Sequence, residues 1–131
     1  MDTFQLLTRH LPALESEPAG EWIDLNEGRS PDGPVIAPVF QYAPAVEKLI
    51  ADVYHFSAVC PEFQMKKYGE TLEKYGISSV FEADPSDLDA RCILAMLMHV
   101  IRGERFCDGY LAKALESGHV QSWLRRLGEL E

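Results

Sequence analysis

The run CILAMLMHVI, residues 92–101, constrains this chain more than any other stretch. It is apolar around the whole circumference of a helix, with one histidine, His99, among its ten residues. A helix at a domain surface shows an apolar stripe, whereas one without a polar face lies inside, with other elements around it. A membrane span needs about 20 apolar residues, so this run is too short to be one. Upstream, Asp84 and Pro85 supply an N-cap and a first-turn proline. Asp87 and Asp89 suit the positive end of the helix dipole, and Arg102 its negative end. Gly103 is the natural terminator. The chain is therefore expected to wrap shorter elements around a central helix over residues 85–102.

Those elements can be read from periodicity. Phe4, Leu7, Leu11 and Leu14 recur at helical steps and predict a helix over about 3–14 capped by Asp2, which Pro12 bends or ends. EWIDL at 21–25 and PVIAPVF at 34–40 are β-prone runs separated by turn residues, which predicts a hairpin. Its prolines make the second strand an edge or irregular one. Pro44 opens a helix whose stripe is Val46, Leu49, Ile50, Val53, Tyr54 and Phe56 or Ser57, and Pro61 ends it. A polar helix follows, with Phe63, Tyr68, Leu72 and Tyr75 inward and Gly76 as its stop. Two last helices, over 107–117 and 119–130, meet at Gly118. Phe106, Tyr110, Leu111, Ala114 and Leu115 form one stripe, and Val120, Trp123, Leu124 and Leu127 the other. The expected fold is mainly α (α+β): one domain over 1–131, a bundle of about five to six helices with a small N-terminal β-hairpin.

Charge narrows the function classes. The net charge is −9, and residues 1–89 carry 16 acidic against 6 basic side chains, while 90–131 carry 5 against 6. A body of that sign repels nucleic acid and excludes generic binding to a phosphate backbone. It favours solubility, or contact with a basic protein surface. The three cysteines, Cys60, Cys92 and Cys107, are odd in number and form no CxxC. They read as free thiols in a reducing compartment rather than as a zinc site. No leader pattern opens the chain, which points to the cytoplasm. No Gly-rich phosphate loop, HExxH or GxSxG is present, and no metal or cofactor is expected.

The densest chemistry is RGERFCDGYLAKALESGH, residues 102–119. Cys107 and His119 could form a thiolate–imidazole pair. On one helix, however, they would stand about 16 Å apart, so Cys107 is expected to be a small buried residue. Arg102, Arg105, Glu116 and His119 are the candidate ligand-binding residues, a corner able to hold an anion in bidentate fashion. The structural alternative pairs Arg105 with Asp108 or Glu116 and sets Arg102 on the last carbonyls of its helix. His99 is expected to be a satisfied core histidine, and Trp22 a lid between hairpin and helices.

The pattern Arg102-x-Glu104-Arg105-Phe106-Cys107-x-Gly109-x-Leu111-x-x-Ala114-x-Glu116-Ser117-Gly118 resembles a family of small bacterial proteins known only as a domain of unknown function. The segments Glu21-Trp22-Ile23 and Val35–Val39 are similar to it too, whereas FSAVCPEF at 56–63 departs from that family's Phe-Asp-Trp motif. The resemblance implies a setting among mobile-element cargo and no activity or cofactor. The residues themselves point to an acidic, non-enzymatic interaction or accessory protein meeting a basic surface or a copy of itself; acidic side chains spaced as in a DNA mimic are a variant of this. The alternative is a small-ligand or anion-binding protein, or an enzyme of unrecognised class, built on Arg102 and Arg105.

Overall fold

The computed structural model describes residues 3–24, 38–63 and 65–130. It is mainly α, with one small antiparallel hairpin. The first helix is broken into α1 (Gln5–Thr8) and α2 (Leu11–Ser16). Pro12 falls in the first turn of α2, where its missing N–H costs nothing, so the proline restarts a helix rather than bending one. Asp2, the expected cap, lies outside the described residues.

Strands β1 (Gly20–Ile23) and β2 (Val39–Tyr42) pair with Trp22 opposite Phe40. The hairpin is where the β-prone runs predict it, but its second strand extends beyond Phe40 to Tyr42. The expected strand residues 34–37 are outside the described residues. The helix α3 (Pro44–Val59) begins on its proline and buries Val46, Leu49, Val53 and Phe56. Tyr54, expected on the same stripe, is exposed. A 3-10 turn at Pro61–Phe63 leads to α4 (Tyr68–Lys74), which buries Leu72. Tyr75 does not turn inward. Its hydroxyl donates to Asp89 at 2.8 Å, and burial together with that carboxylate, the hydrogen bond being the larger cause, pushes the phenol's pKa up.

The central helix α5 (Ala90–Gly103) starts later than predicted. Asp84 caps a 3-10 turn, Pro85–Asp87, by accepting from the Ser86 N–H at 2.9 Å. Leu88 is extended, and Asp89 is the true N-cap, accepting from the Cys92 N–H at 3.0 Å. A second capping aspartate close to the first satisfied the amides that a longer helix would have used. From Cys92 to Ile101 every residue except His99 is buried, as the run demands. α5 packs on α4, on α6 (Tyr110–Glu116) and on α7 (His119–Glu129). α7 also closes on α1 and α2, with Trp123 fully buried. One continuous apolar cluster joins α1, α3, α5, α6 and α7.

Candidate functional site

The signature at 102–118 is built around Glu104, a residue sequence reading passed over. α5 ends at Gly103, and the chain turns through 104–109 instead of entering a helix at 107. Glu104 then folds back under α6. Its Oε2 accepts from the Gly109 N–H at 2.8 Å and its Oε1 from the Leu111 N–H at 3.0 Å. The Tyr42 hydroxyl, brought in by β2, donates to the same carboxylate and accepts from the Ala112 N–H at 2.9 Å. The Tyr110 N–H finds the Cys107 carbonyl at 3.1 Å. The opening N–H groups of α6, which a helix leaves without internal partners, are thus satisfied by one carboxylate, one phenol and one carbonyl. A carboxylate there also suits the helix dipole. Burial first, and the neighbouring carboxylate second, raise the Tyr42 pKa, so the phenol stays a donor.

Two aromatic rings close this turn. A Cβ at Gly103 would lie 2.4 Å from the Tyr110 ring, and one at Gly109 would lie 2.6 Å from the Trp22 ring. Gly109 also holds φ +88, which L side chains rarely adopt. Gly103 ends α5 as expected, without a positive φ, and is also required to be small by the Tyr110 ring; Gly118 does have the left-handed conformation expected of it. Trp22 is 53% exposed, with the Cζ2–Cη2 edge of its ring against Gly109 and its plane nearly perpendicular to that of Phe40. Because 104–109 is a turn rather than the start of a helix, the predicted stripe is broken at its first member. Phe106 is 88% exposed, and Cys107, expected to be buried, is exposed too.

The four candidate residues are not gathered into one corner. His119 opens α7, where Nε2 donates to the Phe81 carbonyl at 2.9 Å and Nδ1 meets the Ser117 hydroxyl. Its ring is thereby committed to joining the α6–α7 corner to the loop at Phe81. Glu116, at the end of α6, lines a groove shared with α2 and β1. Arg105 stands exposed in the 104–109 turn. Among the described residues it makes no ion pair with Asp108 or Glu116, contrary to the structural alternative; both carboxylates are exposed, Asp108 in the turn and Glu116 at the far end of α6. Arg102 also lacks a carboxylate partner among the described residues, and no bond to the last carbonyls of its helix is found there.

Arg102 instead lines a cavity of about 510 Å³ between the end of α3, the approach to α4 and the end of α5. Met65, Met98 and Ala58 give it apolar walls, and Lys66, Tyr54, Tyr68 and Ser57 supply the polar groups beside Arg102. The Ser57 oxygen accepts from the Met65 N–H at 3.1 Å, leaving its own proton for a ligand. No carboxylate is among the described lining residues. In a chain of net charge −9, this cavity offers two cations and three hydroxyl donors.

The remaining titratable clusters are structural. His99 shares a 2.9 Å hydrogen bond with the Tyr110 hydroxyl and lies edge-on to Tyr68. Burial lowers its pKa. Asp52 accepts from Arg9 at 2.7 Å and from His10 at 2.6 Å. Burial would raise its carboxyl, but those two donors outweigh it and hold the pKa low. Burial pushes the Cys92 thiol up to about 11, with Asp89 adding to it. Among the described residues no group of three His, Cys, Asp or Glu is placed to hold a metal, and no helix is long and apolar enough to cross a membrane.

Comparison with known proteins finds one match. The model of a family of unknown function, DUF6508, covers residues 2–131. No curated protein matches the chain, and no solved structure does.

Proposed function

We propose that this chain, which belongs to the DUF6508 family, is a non-catalytic binding protein whose cavity beneath Arg102 takes a small organic anion. The observation that carries this reading is the makeup of that cavity: apolar walls, two cations and three hydroxyls able to donate, and a half-buried guanidinium with no carboxylate partner among the described residues. A partly desolvated cation is poorly placed until an anion joins it. Its volume lies within the range of small-molecule sites, about 300–1,000 Å³. Methionines and tyrosines suit the hydrocarbon or aromatic body of a carboxylate or phosphate ester. Arg102 can bind its head in bidentate fashion, with Lys66 as a point charge.

Titration of the ¹⁵N-labelled protein with phenyl phosphate, benzoate and inorganic phosphate tests this. The expected result is saturable shifts confined to residues around 54–58, 65–68 and 98–102, strongest for an anion with an apolar body. Arg102→Gln should weaken binding at least about tenfold, the loss expected for a charged hydrogen bond. Equal affinity in that variant, or no localised shift with any of the three, would sink the proposal.

The expectation of a basic protein partner, or of self-association, has its own support in the charge imbalance of residues 1–89. Salt-sensitive capture of a defined basic partner, or a concentration-dependent sedimentation coefficient, would support it; a salt-independent monomer that captures nothing would not. The unpaired state of Cys60, Cys92 and Cys107 supports a cytoplasmic setting, in keeping with the bacterial mobile-element context implied by the resemblance.

A further inference from the structure

A second groove, of about 530 Å³, lies between the end of α2, the start of β1, the first turn of α3 and the α6–α7 corner. Its chemistry is the reverse of the Arg102 cavity. Glu15, Glu17 and Glu116 line it against a single cation, Arg125, which already donates to Glu15 at 3.2 Å. Carboxylates alone would make this an ordinary solvated surface. The distinguishing residue is Gln121, in the first turn of α7, which lines the same groove and is only 9% exposed. Its Nε2 donates to the Leu115 carbonyl at 3.0 Å and to the Leu14 carbonyl at 3.4 Å. Both partners are acceptors, so the amide cannot be turned round, and the acceptor Oε1 is fixed opposite them. That oxygen is buried and has no hydrogen-bond partner among the described residues. Buried acceptors are rarely left so, because burial removes the water that would have served them.

We infer that this groove receives a protonated amine or a guanidinium, with Gln121 Oε1 as its acceptor and Glu17 and Glu116 as its counter-charges. An anion fits worse on each count: the unpartnered atom is an acceptor, the excess charge is negative, and the one arginine is engaged. A cation entering the groove restores the bond that Oε1 lacks and neutralises part of the carboxylate excess. Its source is either a free polyamine or a lysine or arginine side chain of a partner polypeptide.

The groove is tested on the full ¹⁵N-labelled chain, titrated separately with spermidine and with a blocked oligolysine peptide. The side-chain amide protons of Gln121 are themselves observable and should shift saturably, together with the backbone amides of Gly20 and Gly118. Glu116 is exposed and makes no ion pair among the described residues, so Glu116→Gln keeps the fold; it should weaken binding about twofold to fivefold. Gln121→Met should abolish the localised shifts; should that variant unfold, Glu116→Gln decides alone. Tighter binding of spermidine assigns the free amine, and tighter binding of the peptide assigns a polypeptide. Non-saturating shifts spread over the acidic surface, unchanged affinity in Glu116→Gln, or the same resonances moved by inorganic phosphate would overturn the inference.

Discussion

Gly103 sits inside the last turn of α5, where alanine is ordinarily preferred by about 1 kcal/mol. The Tyr110 ring leaves no room for a methyl group there. Gly103→Ala should therefore destabilise the protein, by about 1–3 kcal/mol, as overpacking does. A urea melt in which the variant is more stable would show that the ring moves aside freely. Trp123 stands at the other extreme of size, with none of its surface exposed. Trp123→Ala should cost about 3–5 kcal/mol, measured the same way; a loss under about 1 kcal/mol would mean the cavity collapses. Trp123 was legible as a core residue from its stripe. Gly103 was legible as the end of α5, but its packing role was not, because the ring that requires it comes from outside its own helix.

At the scale of elements, helices whose caps are local were easier to read than helices capped from a distance. Pro44 and Gly118 mark boundaries through their own backbones, and both boundaries are found where their residue types place them. The start of α6 is different. Its cap combines Glu104 with Tyr42, 62 residues earlier in the chain, and no pattern within 102–118 discloses a partner in the hairpin. The six-residue turn that this cap stabilises shifts the register, which is why Phe106 and Cys107 face solvent instead of the core. The nearest hint was a carboxylate five residues before a glycine, with no serine, threonine or asparagine beside the helix start to do the work. Glu104→Gln keeps the shape but loses the charge, and should cost about 1–2 kcal/mol. Hydrogen exchange should accelerate at Gly109 and Leu111, whose amides it serves, more than in α3. Protection that is uniform across the two helices would contradict the capping role.

At the scale of the whole molecule, His99 and Asp52 both contribute to the pH dependence of stability. His99 has its pKa lowered by burial, between Tyr68 and Tyr110. The unfolded chain therefore takes up the proton first as pH falls below about 6.5, and stability declines from there down to the folded value. Above that pH the effect is absent. Asp52 adds a second, more acidic loss: its folded carboxyl is held low, so its contribution is complete above about pH 3.9 and disappears as pH falls through the folded value. Urea midpoints measured from pH 7.5 to 5 should fall, and His99→Gln should flatten that slope relative to the parent. Parallel slopes would assign the decline to other groups. Neither cavity was legible from sequence, since each is assembled from three or more elements. Arg102 was singled out as an anion ligand, but Lys66, Tyr54 and Tyr68, which share its cavity, lie 34 to 48 positions away in the chain.

The clasp between Tyr42 and Glu104 also bears on how the protein is made. Synthesis delivers the hairpin first, and the carboxylate that receives Tyr42 comes 62 residues later. Until that turn leaves the ribosome, Trp22 has no Gly109 to cover and Tyr42 no carboxylate to meet. The helices α1 and α2 can pack on α3 as soon as it follows them, but the hairpin's own latch waits for the carboxy-terminal third.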